Sequence, residues 1–174
     1  MRDPSCSRIP VLIGSLVSIP ALLLPRLAAE RVLAGRRQLE ESLRSEPGNA
    51  AAHYNLAVLL KRHFHDYENA RKHHEEALRI DPNHIAAHCK LGVLLKRHFR
   101  DHENARKHFE EALRIEPKYA KAHLLLGQIL EEHFQDFNLA REHYELARSI
   151  EPELASSFFK KLAAKKMKKS GAKT

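Results

Sequence analysis

The sequence predicts an all-α fold, a helical-repeat solenoid of antiparallel helix pairs wound into a right-handed superhelix. Residues 55–82, NLAVLLKRHFHDYENARKHHEEALRIDP, return at residues 90–117 as KLGVLLKRHFRDHENARKHFEEALRIEP, with 22 of 28 positions identical. A looser third copy, LLGQILEEHFQDFNLAREHYELARSIEP, fills residues 125–152. The pairs Glu46-Pro47, Asp81-Pro82, Glu116-Pro117 and Glu151-Pro152 recur every 35 residues. A fixed period of this size marks a stack of repeated supersecondary units.

Composition narrows the function classes. The 174 residues are 43% hydrophobic with no Trp, which gives a core of Leu, Ala, Val and Ile. The net charge of +8 points to nucleic acid or an anionic surface until its distribution is read. Lys160, Lys161, Lys165, Lys166, Lys168, Lys169 and Lys173 contribute seven of those charges with no acid among them, leaving a body of about +1 and a basic tail. Cys6 and Cys89 lie far apart without a CxxC spacing, so neither a disulfide framework nor a zinc knuckle is implied and a reducing compartment is the default.

Residues 1–34 form an apolar leader with two readings. Arg2 and Arg8 precede an apolar run over residues 9–24, the order of parts in a targeting or anchoring segment. The run is shorter than the ~20 residues that cross a bilayer. Pro10, Gly14, Pro20 and Pro25 also interrupt it. In the other reading, residues 35–49 are half of a repeat, because GRRQLEESLRSEP aligns with ARKHHEEALRIDP at residues 70–82. Its missing first helix then starts near Ser15 as a degenerate cap, broken by Pro20 and Pro25 at ~3 kcal/mol each. Both readings stay open.

The repeats are drawn at residues 50–84, 85–119 and 120–154. Apolar residues at Leu56, Leu59 and Leu60, then at Ala70, Ala77 and Ile80, follow a period near 3.6 and give two amphipathic helices per unit. The break falls at His65 and Asp66, with Asp66, Asp101 and Asp136 as N-caps and Glu68 and Glu103 in the first turn. The second helix closes at the acid–proline pair, because proline disfavours helical geometry in the residue before it. Ala57, Gly92 and Gly127 in the first helix, with Ala70, Ala105, Ala140, Ala77, Ala112 and Ala147 in the second, admit close approach. Leu56, Leu91, Leu126, Leu60, Leu95 and Leu130 are the knobs, and Phe109 and Tyr144 stand where the first unit has His74. Residues 155–174 are a capping helix that frays after Met167 into the Lys-rich tail.

These positions together resemble the tetratricopeptide repeat: Leu then Ala or Gly, an Ala opening the second helix, an aromatic, an Ala-Leu pair and a closing Pro. The resemblance covers residues 35–154. It departs in two ways. The unit is one residue longer than the usual ~34, with the extra residue in the turn around Phe64, Phe99 and Phe134, and His53, His88 and His123 replace a larger residue. In that family the first helices line a concave groove for extended or helical peptides. Matching positions imply a partner-binding groove of Tyr54, Asn55, Val58, Lys61, Arg62, Cys89, Lys90, Val93, Lys96, Arg97, Lys121, Leu124 and Gln128, followed by Leu125, Glu131 and Glu132. Such a groove is basic over two units and acidic at the far end of the third, and suits an acidic or C-terminal peptide. The family's chaperone-tail clamp is not reproduced: Lys121 fits it, whereas Tyr54, Val58, Lys90 and Leu125 replace the other members.

Other chemistry finds little support. Nine histidines form columns one repeat apart (His53, His88, His123; His63, His98, His133; His73, His108, His143). Neighbours within a column stand about a helix width apart, ~8–10 Å, too far to share one metal, and duplication alone explains them. No Gly-rich phosphate loop or nucleophile elbow appears, and Cys89 beside His88 points about 100° away from it on a helix. Arg71 with Glu75, Lys72 with Glu76, and Glu75 with Arg79 are spaced for i,i+4 pairs on a solvated face. The sequence therefore reads as a non-enzymatic interaction scaffold or adaptor without cofactor or metal, serving a protein or peptide partner. The alternative is a nucleic-acid-associated repeat protein using the basic groove and tail. Cytoplasmic localisation is expected, with the nucleus through the tail, or a membrane through residues 9–24, as alternatives.

Overall fold

The computed structural model describes residues 24–171, all of its regular structure helical. The leader over residues 9–23 lies outside the described residues. Helix α1 (Leu24–Ser45) is continuous, so the segment from Gly35 is the second half of a longer helix rather than a separate one. Pro25 lies within its described span.

Each repeat then has the same construction. The first helices are α2 (Ala50–Leu59), α4 (Ile85–Leu94) and α6 (Ala120–Ile129), and the second are α3 (Tyr67–Ile80), α5 (His102–Ile115) and α7 (Phe137–Ile150). Every first helix widens at its end into a five-residue π turn, Leu60–Phe64, Leu95–Phe99 or Leu130–Phe134. One left-handed residue follows, His65, Arg100 or Gln135, at φ 54 to 56°. The extra residue of the unit is absorbed here. Leu60 O receives the amides of both His65 and Asp66, closing the wide turn. Asp66, Asp101 and Asp136 then cap the second helices by accepting from the amides of Asn69, Asn104 and Leu139.

The core runs along the stack through Leu56, Leu60, Leu91, Leu94, Leu95, Phe109, Leu126, Ile129 and Leu130, with Ala57, Ala70, Ala105 and Ala140 at the close approaches. An ideal Cβ on Gly92 would fall 2.6 Å from Phe109 Cε1, and one on Gly127 would fall 2.7 Å from Tyr144 Cε1. In the first repeat the corresponding places are taken by Ala57 and the smaller ring of His74, both fully buried. Small residue and ring are thus matched within each unit.

The duplicated histidines are structural staples that the columns alone did not reveal. His53 Nε2 lies 3.1 Å from the Pro47 carbonyl and its Nδ1 lies 2.9 Å from His73 Nδ1. The same pairs recur as His88 with Pro82 and His108, and as His123 with Pro117 and His143. A carbonyl only accepts, so Nε2 of His53 carries the proton, its Nδ1 accepts, and Nδ1–H of His73 donates. Each staple ties an acid–proline turn to both helices of a unit. Burial, and then the paired ring, hold His73 and His143 below the ordinary imidazole value, and His108 down to about 4.

Arg36, Arg71, Arg106 and Arg148 lie over Phe64, Phe99, Phe134 and Phe159, linking successive units by cation–π contact. The outer ion pairs are partly those expected: Arg71 meets Glu75, but Arg79 meets Glu76 rather than Glu75. Helix α8 (Pro152–Gly171) closes the stack, with Ala155, Leu154, Phe158 and Phe159 against Ala120, Leu124 and Ala147. It stays helical past Met167, where fraying was expected, because Lys and Ala are strong helix formers.

Candidate functional site

Four of the expected groove residues meet at one place. Val58, Lys61 and Arg62, from the end of α2 and its π turn, join Lys90 of α4 around a pocket of about 380 Å³. His65, Tyr67, His74 and His98 complete it, and no carboxylate is among these lining residues. Burial, followed by the charges of Arg97 and Lys90, lowers the Lys61 ammonium to about 8. Lys90 is also lowered, by burial and then by Lys121. The cations therefore crowd one another.

His74 forms the floor and is fully buried, with neither ring nitrogen hydrogen-bonded. Burial, with Lys61 and Lys90 above it, pushes it down to about 3, so it is neutral. An orphaned buried polar group costs ~1–3 kcal/mol, and the second and third repeats avoid that cost with Phe109 and Tyr144. The wall opposite is aromatic: His98 stacks on Tyr67 at 3.6 Å, and Tyr67 Oη meets His65 Nδ1 at 3.1 Å.

The remaining expected residues disperse. Tyr54 packs on His84 and His74, with ring centres at 4.8 and 5.7 Å, while Asn55 is exposed outside the pocket. Val93 is half-buried against the core, and Arg97 and Lys121 are exposed near the pocket's cations. Cys89 and Leu124 are buried packing residues rather than groove lining. Cys89 sits with Ala112 and Ala122, and Leu124 with Ala155 of α8, because this column faces the next first helix. Burial raises the Cys89 thiol to about 11, so it is a weak nucleophile. Lys96 is only 10% exposed and pairs with Glu132 at 3.0 Å, which neutralises the junction between basic and acidic ends. Gln128 is buried, and its amide donates to Glu132 at 2.9 Å. Tyr144 donates to Glu131, and burial together with that bond raises its phenol far above the ordinary value. Leu125, half-buried, stands where the preceding unit has Lys90.

Sequence reasoning missed His74, Tyr67, His65 and His98 as pocket residues. A signal for His74 existed: it belongs to the one unit in which an imidazole replaces the aromatic and Ala replaces the Gly opposite. Among the described residues no three His, Cys, Asp or Glu side chains are grouped to hold a metal, and no helix is long and apolar enough to cross a membrane.

A stack of paired helices with a lined pocket between its first two units defines a protein-interaction scaffold of the α-solenoid class. The chain belongs to the tetratricopeptide repeat family, whose models match residues 48–118 and 89–155. No curated protein matches it. Among solved structures it is similar to MamA, at 20% identity and a TM-score of 0.61 over 78% of this chain and 89% of that one. It is also similar to MamA from Desulfovibrio magneticus RS-1, at 20% identity and 0.62 over 82% and 90%. A third likeness, MamA AMB-1, has 23% identity and 0.59 over 74% and 68%. At these identities the likeness is one of fold.

Proposed function

We propose that the chain is a non-enzymatic adaptor that captures an acidic peptide segment of a partner protein across its first helices, at the junction of the first two repeats. The carrying observation is the convergence of Lys61, Arg62 and Lys90 on one pocket without a carboxylate in its lining. Such unopposed cations offer charge-assisted bonds to an acidic segment. Val58 and Tyr67 supply apolar contact beside them, and the exposed Arg97 and Lys121 extend the positive face toward α6. The acidic end expected in the third unit is partly used internally, since Glu132 holds Lys96 and Gln128 and Glu131 receives Tyr144.

The test is affinity capture from cells with the full chain beside a Lys61→Glu, Lys90→Glu variant, each with and without nuclease. Lys90 is the better choice than Lys96, which already has Glu132. A discrete protein retained after nuclease and lost with the variant is the expected result. Capture that survives the variant but collapses with nuclease supports instead a nucleic-acid role for the Lys-rich tail, whose described part includes the exposed Lys160.

A further inference from the structure

The pocket between the first two repeats differs from its counterpart one unit along, and the difference points to a ligand. In the second interval Phe109 fills the place of His74, Leu125 that of Lys90, and Glu132 that of Arg97, with Lys96 bound to Glu132 at 3.0 Å. There one of the cations, Lys96, is offset within the fold, and an apolar ring and an apolar side chain replace the imidazole and the ammonium. In the first, by contrast, Lys61, Arg62 and Lys90 line an open pocket over a buried His74 with both ring nitrogens unpartnered. The duplication gave both intervals the same frame, so the two have diverged in charge and in the ring at the floor.

We infer that this pocket receives a phosphate monoester, a dianion carried on a phosphorylated side chain of the captured segment; the inference rests on the adaptor reading above. Charge decides between anions. Three cations line the space and Arg97 stands near, so a single carboxylate leaves most of the repulsion in place, whereas a dianion offsets two charges. Arg62 supplies the planar fork that matches phosphate oxygens, and Lys61 and Lys90 act as point charges. The volume of about 380 Å³ exceeds that of the anion and leaves room for the side chain bearing it, against Val58 and the Tyr67–His98 stack. His74 gives the second sign, since its ring is buried beneath the pocket with both nitrogens unpartnered. An anion above it offsets the charges of Lys61 and Lys90, while burial keeps the ring neutral.

The test is a titration of the full chain at pH 7.5, followed by NMR of backbone amides and histidine rings. The probes are inorganic phosphate, a capped phosphoserine peptide, acetate and dimethyl phosphate. Phosphate and the phosphoserine peptide are expected to give saturable shifts at Lys61, Lys90 and His74, with the two singly charged probes at least roughly tenfold weaker. Lys90→Gln weakens phosphate by roughly fivefold or more. The pair Ala57→Gly with His74→Phe, which rebuilds the Gly92–Phe109 arrangement and keeps the fold, also weakens it. Equal binding of dimethyl phosphate or acetate overturns the inference, as does binding of free phosphate but not the peptide. Non-saturating shifts spread over exposed Arg79 and Arg114 overturn it too. The two readings separate cleanly: partner capture lost in Lys61→Glu, Lys90→Glu without phosphate binding removes the phosphate inference alone. Phosphate bound with capture unchanged removes the adaptor reading.

Discussion

Replacing Gly92 by Ala should destabilise the protein, although the same change in an ordinary helix interior stabilises by about 1 kcal/mol. The new methyl carbon would stand 2.6, 2.9 and 3.0 Å from Cε1, Cζ and Cδ1 of Phe109. Phe109 is fully buried in the central core and cannot swing into solvent. Overpacking of this kind costs about 1–3 kcal/mol. Set against the propensity gain, the net loss is about 1 kcal/mol, and the melting temperature falls by roughly 2–4 °C for a chain of this size. A double-mutant cycle sharpens the test. Phe109→His alone should cost several kcal/mol, since it leaves a cavity and an orphaned imidazole. In that background Gly92→Ala recreates the Ala57–His74 pair, the clash disappears, and the substitution should turn neutral or stabilising. Thermal unfolding by circular dichroism, with urea midpoints as a check, reads both arms. If Gly92→Ala raises the midpoint equally in the native background and in the Phe109→His background, the matching of small residue to ring is refuted.

Other consequences follow from the same geometry. Arg100→Gly relieves a non-glycine residue held at φ 55° and should raise stability by about 1 kcal/mol, read as a higher melting temperature. Asp101→Ala removes the cap on the Asn104 amide and should cost about 1 kcal/mol by urea unfolding. Stability should fall with acid. His108 has a folded value of about 4 against 6.5 unfolded, so as pH drops below 6.5 the unfolded chain takes a proton that the folded chain refuses. After a discount for partial exposure, about 2 kcal/mol is lost by roughly pH 4. His88, Glu75, Asp101 and Glu111 surround it, and His74, held at about 3, acts in the same direction over a window that extends to lower pH. Urea midpoints measured from about pH 7 to about 4.5 should therefore decline, and a flat profile would count against the staples. In a Cys6→Ser background, Cys89 should resist a thiol reagent near neutral pH until the chain is unfolded, because its buried thiol is raised to about 11.

Much of this structure is readable from residue order. The period of 35 and the apolar spacing place both helices of each unit, and Asp66, Asp101 and Asp136 mark where the second begins. The small residues at Ala57, Gly92 and Gly127 announce close packing, because a larger side chain would meet the ring opposite. The extra residue is assignable to the turn, but its form, a π turn followed by a left-handed residue, depends on how Leu60 O shares two amides. The staples are hidden for a different reason. His53 and His73 are 20 residues apart and belong to different columns, so comparing residues one repeat apart never brings them together. The groove is half legible: register places Val58, Lys61, Arg62 and Lys90 on one face, but only packing shows that Cys89 and Leu124 face the next helix and that Glu132 neutralises Lys96.

The most direct test of the adaptor reading is site-specific photocrosslinking in cells. A photoreactive residue is placed at Val58, within the pocket, or at Lys107, exposed on α5. The expected result is a discrete adduct to a partner protein from the Val58 position that vanishes with Lys61→Glu and Lys90→Glu, and none from the Lys107 position. An adduct formed from the Lys107 position and absent from the Val58 position would contradict it.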